Sequence, residues 1–166
     1  LSKNNASAAI IGGGDGGVAR ELSSKGFDLI DWYELDPEVV KVCQKHLLKV
    51  CGDIKANNKV KTYWGDAFES IKKVKNSKYD KIFVDLNDDQ FCIDLAAKNM
   101  KGLKRILKPG GVITAQVGCM SKKPRQVKNW LELLKNNFGN VVLDEVFIPS
   151  FDCRWNFASS SNKDHS

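Results

Sequence analysis

The segment Ile11-Gly12-Gly13-Gly14-Asp15-Gly16-Gly17 gathers five glycines around one carboxylate. Gly12, Gly14 and Gly17 satisfy G-x-G-x-x-G, whose glycines permit positive φ and let a ligand approach the backbone closely. Glu34 follows twenty residues after Gly14, where an acid can accept hydrogen bonds from ribose hydroxyls. Together they point to a nucleoside site. Asp15 narrows the choice, because a carboxylate inside the loop would repel a pyrophosphate and attract an ammonium or a sulfonium. Asp15 as a helix cap is the alternative, and is compatible with that role. In Gly65-Asp66-Ala67, Asp66 beside the Ala67 N–H could read an adenine edge, or it could cap a helix. Asp85-Leu86-Asn87-Asp88-Asp89 adds two further candidates, Asp85 and Asp88. Five acids brought to one rim would suit a positively charged substrate; solvated loop acids are the alternative.

Positioning them is the task of alternating elements. Apolar runs at Ala8 to Gly12, Leu29 to Leu35, Lys59 to Trp64, Lys81 to Asp85 and Val112 to Val117 read as strands. Helical patterns fall between them: Asp15 to Lys25, Asp36 to about Val50, Ala67 to about Val74, and Cys92 to Leu107, the last stopped by Pro109-Gly110-Gly111. Arg125 to Asn137 reads as a final helix, and Val141 to Ile148 and Trp155 to Ser159 as two strands with no helix between. Continuous apolar strands such as Ile82-Phe83-Val84 belong to parallel sheets covered on both faces. The pattern predicts a doubly wound α/β sheet of about seven strands. The last two strands should pair antiparallel, since their link is too short for a crossover. Ligands of such sheets bind at the carboxyl ends of the strands, where each candidate acid falls. Residues 1–160 are expected to form one core, with 161–166 a disordered tail.

Composition excludes several classes. The chain has 166 residues, 42% of them hydrophobic, which is one domain's worth. No apolar run approaches the roughly 18 residues of a membrane span, and Leu1 to Ser7 is no signal-peptide core. A start at Leu1 reads as an excised fragment. The net charge of +6 comes from scattered lysines, so a solvated basic surface is expected rather than a nucleic-acid face. Five cysteines without a CxxC pair argue for a reducing, cytoplasmic setting rather than a disulfide framework. Cys43 and His46 are spaced to share a metal on a helix, but two ligands are too few for a closed site, so no metal is expected.

Several blocks resemble a known family. Gly-Gly-Gly-Asp-Gly-Gly-Val-Ala-Arg-Glu (12–21), Tyr-Glu-Leu-Asp (33–36), Gly-Asp-Ala-Phe-Glu (65–69), Tyr-Asp-Lys-Ile-Phe-Val-Asp (79–85) and Leu-Lys-Pro-Gly-Gly-Val (107–112) are similar to the spermidine synthases. These polyamine aminopropyltransferases are relatives of class I S-adenosylmethionine methyltransferases. The likeness runs on through Ile148-Pro149-Ser150-Phe151 and Trp155-Asn156-Phe157. It implies a class I methyltransferase-like Rossmann core. By the same resemblance Asp15 would hold the aminopropyl end of decarboxylated S-adenosylmethionine, Glu34 its ribose, and Asp66 with Ala67 its adenine. Asp85 would be the catalytic acid, Asp88 the acid that orients the acceptor amine, and Gln116 a further site residue. Phe151 stands where the family usually has a tyrosine, the Asp85 loop lacks the family's proline, and the family's N-terminal β-domain is not expected within these residues.

The expected function is therefore aminopropyl transfer from decarboxylated S-adenosylmethionine, as a co-substrate rather than a tightly bound cofactor, to a polyamine, releasing 5′-methylthioadenosine. Two alternatives stay open: an S-adenosylmethionine-dependent methyltransferase in the same pocket, and a non-catalytic domain that kept the fold. A homo-oligomer is compatible with either reading. The length of the amine acceptor is not legible.

Overall fold

Alternation along Ser7–Gly12 (β1) sends Ala8 and Ile10 to one face and Ala9 and Ile11 to the other, and all four are fully buried. A strand buried on both faces needs helices on both sides. The computed structural model, which describes residues 6–54 and 56–162, supplies them. After β1 come α1 (Gly17–Ser24), β2 (Leu29–Glu34), α2 (Pro37–His46), α3 (Leu48–Cys51), β3 (Val60–Trp64) and α4 (Ala67–Ile71). Then follow β4 (Tyr79–Asp85), α5 (Gln90–Ile106), β5 (Leu107–Cys119), α6 (Pro124–Phe138), β6 (Val141–Ile148), a 3-10 turn (Pro149–Phe151) and β7 (Cys153–Ser161).

The sheet order is β3-β2-β1-β4-β5-β7-β6. β1 to β5 run parallel, and β7 inserts antiparallel between β5 and β6. One apolar layer joins Ala8, Ile10, Ile30 and Trp32 to Ala19 and Leu22 of α1, Val40 of α2 and Cys51 of α3. The larger layer joins Ile11, Ile82, Val84, Ile113 and Ala115 to Phe68 of α4, Ile93, Met100 and Leu103 of α5, and Val127, Trp130 and Leu134 of α6. This is the doubly wound sheet expected. It directs the carboxyl ends of five parallel strands to a single rim.

A buried polar cluster ties β2 to β4. The Tyr79 hydroxyl donates to Asp31 at 2.6 Å and lies 2.7 Å from the Tyr33 hydroxyl. Lys78 pairs with the same Asp31 carboxylate. Burial pushes the Tyr33 phenol up to about 12 and raises that of Tyr79 further, so both stay neutral. Nothing in the sequence pattern singled this cluster out.

Some boundaries differ from the sequence expectation. The second helix is interrupted at Leu47, whose φ of −125° and ψ of 39° are not helical, so α3 is a separate turn. β5 starts at Leu107 rather than Val112, because Pro109-Gly110-Gly111, although irregular with Gly110 at φ of 73°, stays bonded into the sheet: Gly110 N–H donates to Asn162 C=O and Asn162 N–H to Gly111 C=O, both at 2.7 Å. For the same reason the expected tail begins later. Ser161 closes β7 and Asn162 is bonded on both sides, while 163–166 lie outside the described residues. The expectation of no disulfide is also corrected. Cys119 at the end of β5 and Cys153 at the start of β7 are bonded, with Cα atoms 6.4 Å apart, because the β5–β7 pairing brings these strand ends side by side. Cys43, Cys51 and Cys92 are free.

Candidate active site

The glycine loop turns sharply off β1 with Gly12, Gly13 and Gly16 at φ of 83°, 71° and 75°, a region L side chains avoid. A Cβ on Gly12 would fall 2.4 Å from the Asp85 carbonyl oxygen, and one on Gly13 2.9 Å from Asp85 Oδ2. The loop therefore lies directly on the end of β4, fastened by Gly13 N–H to Asp85 C=O at 2.9 Å. On its other side the Trp32 indole donates to Gly12 C=O at 2.7 Å. Gly14 and Gly17 have a different role. A Cβ on Gly14 would meet Val39 at 2.8 Å and Glu34 Oε2 at 3.4 Å, and one on Gly17 would meet Asp15 Oδ1 at 3.2 Å. The G-x-G-x-x-G spacing thus finds the loop but passes over Gly13 and Gly16; the uninterrupted glycine run was the available signal.

Asp15 is exposed at the loop tip, and its Oδ1 accepts the Gly17 N–H at 2.8 Å. The N-cap of α1 is Gly16, without a side-chain cap, so Asp15 does not take the capping role; its bond to Gly17 closes the loop tip and leaves Oδ2 for another partner. Glu34 is 8% exposed at the end of β2. Its Oε1 accepts the Asp36 N–H at 2.9 Å, while Oε2 faces Gly14. Asp66 caps α4, its Oδ1 accepting from Phe68 N–H at 2.7 Å and Glu69 N–H at 3.3 Å. Asp66 Oδ2 makes no hydrogen bond among the described residues, and Ala67 begins the helix beside it.

Asp85 ends β4 opposite Gly12. Burial first, and then the charges of Asp15 and Glu34, push its carboxyl from the usual 3.8 up to about 6. No lysine or arginine among the described residues pairs with Asp85, Asp15 or Glu34. Asp88 differs, for it pairs with Lys123 at 2.9 Å. Asp89 caps α5 through the Cys92 N–H at 2.8 Å.

Gln116 is not a free side chain. Its Nε2 donates to the Leu86 carbonyl and its Oε1 accepts from Trp155 Nε1 at 3.0 Å. Trp155 in turn packs on Phe151, ring centres 4.6 Å apart. Gln116 thus braces the Asp85 loop against the Phe151 turn, and Trp155 joins the site as a residue the motifs had not assigned a role. Phe151 remains about half exposed.

Because the strands run in the order β3-β2-β1-β4-β5, the rim carries Asp66, Glu34, the Asp15 loop, Asp85 with Asp88, and Gln116 in that sequence. Four steps of about 4.8 Å make roughly 19 Å, the length of a nucleoside with an extended amine beside it. A concavity of about 600 Å³ lies away from these acids, lined by Tyr33, Tyr63, Lys73, Lys75 and Lys78 among others. It holds no acid. Among the described residues no cluster of three or more His, Cys, Asp or Glu could hold a metal ion, and no helix is long and apolar enough to cross a membrane.

Comparison with known proteins gives a consistent answer. The family model for the spermine/spermidine synthase domain matches residues 1–166. A polyamine aminopropyltransferase of Prochlorococcus marinus (strain MIT 9215) is 34% identical over 163 residues, covering 92% of this chain and 56% of the relative. One from Thermoplasma volcanium is 29% identical over 158 residues, covering 93% and 57%. The chain thus spans about half the length of the relatives it matches. Among solved structures, spermidine synthase from Thermotoga maritima superimposes with a TM-score of 0.83 at 22% identity, over 96% of this chain and 54% of that one. A spermidine synthase in complex with the transition-state analogue AdoDATO gives 0.81 at 21% identity, over 96% and 54%.

Proposed function

The chain belongs to the spermine/spermidine synthase family, and we propose that its rim transfers an aminopropyl group from decarboxylated S-adenosylmethionine to a polyamine amine. The observation that carries this is the order of acids along the strand ends. Read from β3 to β4, Asp66 suits the adenine amine, Glu34 the ribose hydroxyls, Asp15 the aminopropyl ammonium beside the sulfonium, Asp85 the incoming amine, and Asp88 the remaining ammonium of the acceptor. Each donor group then meets one carboxylate at the strand spacing.

In the reaction the acceptor nitrogen attacks the carbon next to the sulfonium. The N–C bond forms, the C–S bond breaks, and its electron pair returns to sulfur as neutral 5′-methylthioadenosine. The acceptor must lose a proton, although a free alkylamine holds it to a pKa near that of lysine, about 10. Asp85, with its carboxyl at about 6, is the base placed to take it. Asp88 holds the acceptor through a charge-assisted hydrogen bond. Most of the acceleration comes from holding the two reactants in line.

A methyl-transfer reading keeps Glu34 and Asp66, yet leaves Asp15 opposed to the carboxylate of S-adenosylmethionine. Calorimetry with the two donors decides. The decarboxylated donor should bind more tightly by about 1–3 kcal/mol, the scale of two carboxylates at an effective dielectric near 20. Asp15→Asn should shrink that preference. Equal affinities in the unmutated chain would favour methyl transfer, and donor binding without turnover would favour a non-catalytic domain.

A further inference from the structure

Every acid of the rim except Asp88 lacks a basic partner among the described residues. Lys123 Nζ stands 2.9 Å from Asp88 Oδ2, with the two side chains 45% and 24% exposed. The lysine backbone is fixed. It occupies the N-cap position of α6, its N–H donates to Cys119 C=O at 2.8 Å, and its C=O accepts from Val127 N–H at 3.2 Å. Next to it, Lys122 Nζ donates to the Phe151 carbonyl at 2.8 Å. Residues 119–123 therefore run as a strap between the Asp88 loop and the Phe151 turn. Beneath Asp88 lies Gly118, where a Cβ would already stand 3.4 Å from that of Asp88. The Asp88 carboxylate thus lies over Gly118 and is engaged by Lys123.

A lysine side chain is chemically a butylammonium. Its pair with Asp88 is the same bond that an alkyl-diamine acceptor would form through its second ammonium. We infer that Lys123 is a specificity-determining residue of the acceptor site, occupying the carboxylate that a diamine's remote ammonium needs, so that a diamine binds only by displacing it. This rests on reading Asp85 and Asp88 as the acceptor site. A monoamine has no second ammonium and does not compete with Lys123. The residue therefore narrows the affinity gap between diamines and monoamines, and its removal should widen it.

The test titrates 1,4-diaminobutane and 1-aminobutane into the chain saturated with 5′-methylthioadenosine, by calorimetry. Lys123→Gln should tighten diaminobutane about two- to fivefold, the scale of a half-exposed ion pair. It should leave aminobutane within about twofold, and Lys123→Arg, which keeps the cation, should leave the diamine near its original affinity. In an Asp88→Asn background Lys123→Gln should have no further effect on the diamine. An unchanged or weaker diamine in Lys123→Gln overturns the inference alone. Equal tightening of both amines also overturns it, since that marks a general loss of positive charge from an acidic rim. If methylthioadenosine binds but neither the original chain nor Lys123→Gln binds diaminobutane, the acceptor-site reading falls with it.

Discussion

At the scale of single residues, Asp85 differs from its neighbours. It is partly buried, has no cationic partner among the described residues, and faces two other carboxylates, so its carboxyl rises to about 6. Asp85→Asn should leave 5′-methylthioadenosine affinity within about twofold, because no donor contact is removed. Steady-state turnover should fall by about 10² to 10⁴, the span of a lost general base acting in the transition state. If the proposed transfer holds, kcat/KM of the unmutated protein should rise with pH through about 6 as Asp85 ionises. The corresponding limb of kcat should lie lower, since the bound sulfonium favours the charged carboxylate. Wild-type turnover in Asp85→Asn would remove its role as base. Glu34 tests the other half of the rim: Glu34→Ala should weaken methylthioadenosine by about 1.5–3 kcal/mol, as for hydrogen bonds to a charged acceptor. The candidate acids were legible because each sits at a motif or a strand end. Lys123 and Trp155 were not assigned, because their parts depend on pairing between segments distant in sequence. Asp66 shows why two roles stayed open: one carboxylate oxygen caps a helix start and the other remains.

At the scale of elements, the strands were legible wherever burial on both faces made them uniformly apolar, as at Ile82-Phe83-Val84. Boundaries were not legible where long-range bonding overrides local preference. Pro109-Gly110-Gly111 reads as a stop, yet Asn162 pairs with it and extends both β5 and β7. The glycine loop gives a graded test. Gly26 has φ of 86° with nothing within 4 Å of a Cβ, so Gly26→Ala should cost about 1 kcal/mol for the left-handed backbone alone. Gly12→Ala adds a clash with the Asp85 carbonyl, a backbone atom held in the sheet, and should cost about 1–3 kcal/mol more. Urea melts of the two variants compare them; equal losses would mean that the loop is free to move off β4. The Cys119–Cys153 bond joins the two strand ends beneath the Phe151 turn. Alkylation under denaturing, non-reducing conditions should modify three cysteines and, after reduction, five. Five adducts in both samples would show two thiols there instead.

At the scale of the whole molecule, a chain of net charge +6 sets five of its 20 acids along one rim, of which only Asp88 has a basic partner among the described residues. That arrangement favours a polycationic substrate and opposes folding, since like charges brought together in a partly dry site raise the free energy of the native state. Asp85 carries the clearest part of this cost. Its folded carboxyl holds a proton up to about pH 6, whereas an unfolded aspartate releases it near the ordinary 3.8. Between those values folding takes up a proton, so stability falls as pH rises through the window and stays lowered above it. Asp85→Asn cannot ionise and escapes the fall. The variant should match the original chain at pH 4 and exceed it at pH 8 by on the order of 1–3 kcal/mol, measured by urea denaturation at both pH values. A variant that is less stable at pH 8, or equally displaced at both, would mean that the carboxylate supports the strand end through contacts an amide cannot make. The expected outcome, a more stable and less active protein from one substitution, is what a base held in an unfavourable environment for the sake of its basicity should give.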